Sequence, residues 1–304
     1  MLGNRRFTII VPASSANLGP GFDSVGMALS CYLTLEVEEC SEWRFIAASP
    51  NLEGIPEGKD NLIYEVAQQV AADRNVTLPP VKVTMTSNIP LARGLGSSAS
   101  AIVAGIEIAN VLGDLQLTKK DKVRIGSVME GHPDNVGPAV YGGILIGYHH
   151  EDETYTVHIK DVEVDTVMVI PPYELKTTYA RNVLPEQLAY KRAVEASAVS
   201  NTLVAALFTN NWSLVGEVME KDLFHEPYRS SLVKELAVVR NAAKESGAFG
   251  TALSGAGPSI LCFVKSNEAE KLVHSLKALV PHCEVRHVKA DTEGVRIKHH
   301  SVMG

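Results

Sequence analysis

Cysteine is scarce in this sequence. The 304 residues include four, Cys31, Cys40, Cys262 and Cys283, and no two of them form a C-x-x-C pair. That argues against a zinc ribbon or a thioredoxin-like redox site and leaves reduced structural thiols as the simplest reading. Long apolar runs are missing too: none approaches the roughly 20 residues that a membrane span needs. Residues 1–6 lead straight into a strand-like Phe7-Thr8-Ile9-Ile10-Val11, without the basic head, apolar core and small-residue cleavage site of a signal peptide. A basic excess is absent, since the net charge is −7, and a phosphate backbone needs a basic footprint. Nucleic acid and membrane are therefore not expected as partners, and the cytoplasm is the expected compartment. The sequence does contain the makings of a core: 45% of its residues are hydrophobic and 21% charged, the balance of a globular protein.

Periodicity outlines the chain. A strand is expected over residues 6–11, a Gly/Ser/Asn-rich loop over 12–26 and an alternating strand over 32–38. Asp60 is the expected cap of a helix reaching about residue 74, with Leu62, Ile63, Val66, Ala67 and Val70 on one face. A strand over 81–86, a helix over 101–112 stopped by Gly113, and a helix over 119–130 follow. The polar loop Gly131-His132-Pro133-Asp134-Asn135 then leads into a loop and buried strand over 140–146. The second half reads as strands near 155–160 and 164–171 and helices near 197–209, 212–221 and 230–246. Strands near 249–254 and 258–264, a helix near 267–279 and a strand near 283–289 complete it. Helices and strands mix without strict βαβ alternation, which predicts an α+β fold in two lobes. The boundary is expected near residue 160, giving lobes of 1–160 and 161–304. The histidine pairs His149-His150 and His299-His300 read as surface or terminal residues, because neighbours on a strand point to opposite faces.

The densest signal is Pro90-Leu91-Ala92-Arg93-Gly94-Leu95-Gly96-Ser97-Ser98-Ala99-Ser100, placed between a strand and a helix. Glycines there let backbone N–H groups approach an anion, and the helix N-terminus adds unpaired donors and the positive end of its dipole. Two serine hydroxyls can reach a phosphate or a cation. No lysine follows a glycine, so this is not a Walker A loop. The segment matches G-x-G-x-x-A, but no strand fits between the helix end and Asp114, as a dinucleotide-binding unit would require. An acidic chain can still hold a nucleotide, because such a site needs only a few local donors.

The string over residues 90–100 resembles the second motif of the GHMP kinases. Two further segments agree in order and spacing: Val11-Pro12-Ala13-Ser14-Ser15-Ala16-Asn17-Leu18-Gly19-Pro20-Gly21-Phe22-Asp23 near the start and Leu253-Ser254-Gly255-Ala256-Gly257-Pro258-Ser259 near the end. These segments, with His132-Pro133-Asp134-Asn135-Val136, are most similar to the homoserine kinase branch. The resemblance implies an N-terminal lobe like ribosomal protein S5 domain 2, a C-terminal ferredoxin-like lobe and a cleft between them. It implies ATP on Pro90, Leu91, Ala92, Arg93, Gly94, Leu95, Gly96, Ser97, Ser98, Ala99 and Ser100, with Mg²⁺ on Ser98 and Glu130. For an L-homoserine substrate it implies Asp23 at the ammonium with help from Asn17, and Arg181 and Arg229 at the carboxylate, where a guanidinium fits bidentately. His132 and Asn135 are further expected contacts. Asn135, Asp134 and Asp23 are the residues expected at the reacting hydroxyl. The first motif carries Ser14 and Ser15 where some superfamily members place a lysine, so a general base is in doubt. The resemblance also allows a homodimer.

Overall fold

The computed structural model describes residues 5–151 and 153–300. In chain order the elements are β1 (Arg6–Ala16), β2 (Val25–Glu39), β3 (Arg44–Ala47), α1 (Leu62–Asp73), β4 (Val81–Ser87), α2 (Ser97–Leu112), α3 (Lys119–Glu130), α4 (Val136–Tyr141), β5 (Ile144–His150) and β6 (Glu153–Ile159). There follow β7 (Asp165–Ile170), α5 (Thr177–Asn182), α6 (Tyr190–Phe208), α7 (Trp212–Met219), α8 (Glu226–Arg229), α9 (Glu235–Glu245), β8 (Gly250–Leu253), β9 (Ile260–Val264), α10 (Ala269–Leu279), β10 (Glu284–Lys289) and β11 (Arg296–His299).

Two sheets result. The first has seven strands, with the path β11-β1-β2-β4-β3 and with β5 joining β2 and β6. The long strand β2 belongs to two pairings on one side: its Leu33–Glu39 half pairs with β4, and Val25–Met27 pairs with β5. The second sheet is β10-β7-β9-β8. The chain changes sheets between β6 and β7, and β11 crosses back to pair with β1.

The second sheet is buried on both faces, and the period of two sorts its side chains between two cores. Met168 and Ile170 of β7, with Leu261 and Phe263 of β9, join the core that runs continuously into the first lobe. Val167, Val169, Ile260, Cys262 and Val264 face a separate core filled by Val239 of α9 and Leu272 and Leu276 of α10. In the first lobe α2 is almost wholly buried, from Ala99 to Leu112. An all-round apolar helix of this kind sits inside a layer rather than on it, and that fixes where its N-terminus opens.

Several boundaries differ from the sequence expectation, each for a physical reason. The loop expected over 12–26 shrinks, because β1 runs on to Ala16 through a register shift between Pro12 and Ala13. Proline lacks a ladder donor and is tolerated at such a bulge; Ser14 and Ser15 beyond it are fully buried. Helix α1 is capped by Asn61, whose side chain accepts from the Ile63 N–H at 2.9 Å, and not by Asp60. Helix α2 starts at Ser97, so the two serines form its first turn rather than a preceding loop. Helix α6 starts seven residues before the expected 197, with Tyr190 and Val194 exposed and no apolar stripe to betray it. The elements β3, α4, α5, α8 and β11 were not anticipated; each has six residues or fewer, too few to show a period.

Candidate active site

A cleft of about 850 Å³ opens at the N-terminus of α2, between the lobes. Gly94 (φ +74°) and Gly96 (φ +66°) lead into the helix in the left-handed region, where only glycine is at ease. Space as well as torsion demands glycine. A Cβ on Gly94 would lie 2.3 Å from the Ser254 carbonyl oxygen, and one on Gly96 would lie 2.2 Å from Ser14 Oγ. Gly96 is the N-cap of α2 and offers no side-chain cap. The first N–H groups of the helix thus lack the usual capping acceptor, which is the requirement for binding an anion there.

The three glycine- and serine-rich segments of the sequence meet behind this loop. Ser254 Oγ lies 2.6 Å from the Gly94 carbonyl and 2.8 Å from Ser15 Oγ. The Ser14 N–H donates to the Leu95 carbonyl, the Gly255 N–H to the Ala16 carbonyl and the Ser259 N–H to the Arg93 carbonyl, at 3.2, 3.1 and 3.3 Å. The loop after β1 is itself built under strain: Asn17, Leu18 and Asp23 all have positive φ, at a cost of about 1–3 kcal/mol each. Asn17 holds it, donating through Nδ2 to the Gly255 carbonyl and accepting through Oδ1 from the Asp23 N–H, both at 3.0 Å.

Across the cleft lies a cluster of charged side chains. Arg181, on α5, donates two bonds to Asp23, at 3.0 and 2.7 Å. Arg229, at the end of α8, is buried; its Nε donates to the Ala180 carbonyl at 3.0 Å and its Nη1 to the Gly255 carbonyl at 3.3 Å. Burial and the neighbouring Arg181 charge pull its pKa down to about 10. Both guanidinium groups lie over the Phe22 ring, 5.6 and 5.3 Å from its centroid, a cation–π arrangement. His225 stacks on Phe22 at 5.2 Å. Its Nε2 is 2.9 Å from the Gly19 carbonyl and its Nδ1 is 3.3 Å from Arg229 Nη1. A guanidinium only donates, so Nδ1 is the acceptor and Nε2 carries the proton. Burial lowers the pKa of this histidine, which favours that neutral form.

The third wall is the turn between α3 and α4. His132 Nδ1 sits 2.6 Å from Oδ1 of the buried Asp134. Burial opposes the imidazolium, but the Asp134 hydrogen bond and charge, helped by Asp23 and Glu130, prevail and push its pKa up to about 9. Ser14 Oγ donates to Asn135 Oδ1 at 3.0 Å, which turns the amide nitrogen toward Asp134 at 3.5 Å. Glu130 ends α3. Burial is the main cause that pushes its carboxyl up to about 7, with Asp134 adding to the rise and His132, the Ser98 hydroxyl and Arg181 opposing it. Its Oε2 is buried without a hydrogen-bond partner among the described residues.

Family models match both halves of the chain: GHMP kinases N terminal domain over residues 61–143 and GHMP kinases C terminal over residues 203–282. A homoserine kinase of Bacillus licheniformis is 55% identical, with 97% of each chain covered. The chain belongs to the GHMP kinase family, among the homoserine kinases. A solved homoserine kinase from Cytophaga hutchinsonii superposes with a TM-score of 0.84 at 27% identity, covering 96% of this chain and 97% of that one. The mevalonate kinase of Methanococcus jannaschii, at 17% identity and a TM-score of 0.69 over 93% and 98% of the two chains, shares the fold.

In this kinase, Asn17, Asp23, Glu130, His132, Asp134, Asn135, Arg181 and Arg229 all line the one cleft with Ala92, Gly94, Gly96, Ser97, Ser98 and Ala99. Pro90, Leu91, Arg93, Leu95 and Ser100 of the expected nucleotide segment do not line it. Leu95 is core, Ser100 Oγ donates to the Pro12 carbonyl, and Arg93 donates across to the Pro171 and Pro172 carbonyls at 3.1 and 2.7 Å. Sequence reasoning missed Phe22, although it stands inside the first string singled out, and His225, four residues before Arg229. It also missed the wall formed by Leu62, Glu65, Val66 and Gln69 of α1 and by Leu175, Lys176, Thr177 and Thr178. Leu62 and Val66 read as part of an ordinary amphipathic stripe, and nothing in the spacing of the α1 residues marks an open edge.

Proposed function

We propose that this kinase transfers the terminal phosphoryl group of ATP to the side-chain hydroxyl of L-homoserine, giving O-phospho-L-homoserine in the route from aspartate to threonine. The observation that carries the reading is the junction of an anion-binding helix N-terminus with a compact cluster of one carboxylate and two guanidinium groups. An amino acid needs an acceptor for its ammonium and donors for its carboxylate, and Asp23, Arg181 and Arg229 supply both. Asp23 and Arg181 neutralise one another; substrate would exchange with each of them. His225 acts on substrate indirectly, by holding Arg229 against Phe22.

Phosphoryl transfer rests mainly on positioning and electrostatic stabilisation. The N–H groups from Gly94 to Ala99 and the α2 dipole hold the phosphates. The residues fit Mg²⁺: Ser98 and Glu130 are oxygen donors of the kind a hard cation takes, and among the described residues the buried Oε2 of Glu130 has no hydrogen-bond partner. Bound there, Mg²⁺ would offset the charge of the phosphates. Neither Asp23 nor Asp134 is a free base, since each is tied to a cation in its own pair. Asn135 orients the hydroxyl, whose proton passes to a phosphate oxygen as the new bond forms. A fall of several orders of magnitude in kcat, at unchanged KM, in both Asp134→Asn and Asp23→Asn would refute this base-free route.

The change of sheet between β6 and β7 supports a division into 1–160 and 161–304, with β11 returned to the first lobe. Four free cysteines support a cytoplasmic setting, and among the described residues no helix is long and apolar enough to cross a membrane. The direct test is ADP release with ATP, Mg²⁺ and L-homoserine, set beside L-serine, L-threonine, mevalonate and galactose. Turnover with homoserine above the others is expected; turnover only with another acceptor would discard the substrate assignment.

A further inference from the structure

In the second lobe, on residues that do not line the cleft, three potential metal ligands converge from two segments. Glu235 begins α9; His282 and Cys283 directly precede β10. One ligand atom from each lies within 4.8 Å of the other two. His282 Nε2 is 2.9 Å from Glu235 Oε1, close to the separation of two donors on one small cation. The other carboxylate oxygen, Oε2, accepts from the Tyr173 hydroxyl at 2.7 Å, so the carboxylate is held with Oε1 toward the histidine. Such an outer bond is what orients a metal-ligating carboxylate. Cys283 and Glu235 are buried, and the side chain of His282 is half exposed, which gives an ion a way in from solvent.

We propose that Glu235, His282 and Cys283 form a binding site for a borderline-soft divalent cation of the zinc type, with water in the fourth position. Sulfur, imidazole nitrogen and carboxylate oxygen make a donor set that suits Zn²⁺ and its Co²⁺ surrogate and disfavours Mg²⁺ and Ca²⁺, which take oxygen. A tetrahedral ion holds its ligands at about 2.0–2.3 Å, so the hydrogen-bonded Glu235–His282 pair must open slightly to admit it. The charges balance. The Cys283 thiol gives up one proton to solvent, the imidazole moves its proton from Nε2 to Nδ1, and the cation meets one thiolate and one carboxylate. Without a cation the thiol stays protonated, because burial and the Glu235 charge hold its pKa up to about 11. Bound metal would fasten the start of α9 to the start of β10, so it should stabilise the lobe rather than take part in phosphoryl transfer.

The test is titration of the reduced full-length enzyme with Co²⁺, read by the near-ultraviolet thiolate-to-cobalt charge-transfer band, with Zn²⁺ as competitor. Cys283→Ser and His282→Gln are run beside the wild type; His282 is exposed enough for its variant to fold, and Cys31, Cys40 and Cys262 remain in both as internal controls. The proposal expects a one-to-one band displaced by Zn²⁺, a Zn²⁺-dependent rise in Tm, loss of both in Cys283→Ser, and at least a tenfold weaker affinity in His282→Gln. Kinase activity without added zinc should match wild type in both variants. No band in the wild type, a band that survives Cys283→Ser, or a band unaffected by His282→Gln would overturn the site.

Discussion

The two sides of the cleft are made in different ways. The side facing α2 is made of backbone: Gly94, Gly96 and the open first turn of a buried helix, all from one contiguous segment. The opposite side is made of side chains collected from the β1–β2 loop, the α3–α4 turn, α5 and α8, whose positions in the chain run from Asp23 to Arg229. A backbone device tolerates no added atom, because its parts cannot move aside. A side-chain device loses one contact at a time. The two sides should therefore fail differently.

Gly94→Ala attacks the backbone side, where the new Cβ would press on two carbonyl oxygens, of Ser254 at 2.3 Å and Gly257 at 2.8 Å, at φ +74°. The expected result is a fall in kcat/KM of about 10²–10³, the scale of a lost preorganised donor, measured in the coupled ADP assay. Activity within tenfold of wild type would show that the loop can give way. On the other side, Arg181→Ala or Arg229→Ala should mainly raise KM for homoserine, by about 10- to 100-fold, since a charge-assisted hydrogen bond contributes about 1.5–3 kcal/mol. KM for ATP should hardly change. His225→Gln should give the same signature more weakly, because it reaches substrate only through Arg229.

Two titrations sharpen the contrast. The Glu130 carboxyl has its pKa raised to about 7 from an ordinary 4.5, and a cation binds its ionised form. Mg²⁺ affinity should therefore weaken as pH falls through about 7, and Glu130→Gln should lose that dependence along with most of the affinity. His132 has a folded pKa raised from 6.5 to about 9. Its pair with Asp134 stabilises the fold fully below pH 6.5 and is lost as pH rises through about 9. Denaturant unfolding across that range should show a decline that His132→Gln abolishes. The smallest effect belongs to Arg93→Ala, which cuts the ties to the Pro171 and Pro172 carbonyls. Stability should drop by about 1 kcal/mol with kcat nearly unchanged.

The same contrast governs what could be read in advance. The glycine-loop side was legible because its parts are neighbours in sequence and are marked by residue type: glycines, serines and an apolar helix in that order. The arginines, Asp23 and Asn135 could be named only through resemblance, since a lone arginine carries no local signature. Phe22 and His225 escaped because an aromatic ring and a histidine read as core until the guanidinium groups above them are seen. Glu130 likewise was named as a Mg²⁺ ligand only through resemblance; its raised pKa comes from burial, with Asp134 adding to it. Short elements such as β3, α8 and β11 fell below the length at which a period exists.

By itself the sequence determined the α+β class, most long elements and the presence of a strand–glycine loop–helix segment. These follow from hydrophobic period and local torsional preference, which act between near neighbours in the chain. Only the tertiary structure decided that Asp23 pairs with Arg181 and that Arg229 is held by His225. It alone decided that Glu235 meets His282 and Cys283, and that β11 returns to β1. Those relations join residues far apart in sequence, where burial, charge pairing and shape set the outcome and no local pattern records it.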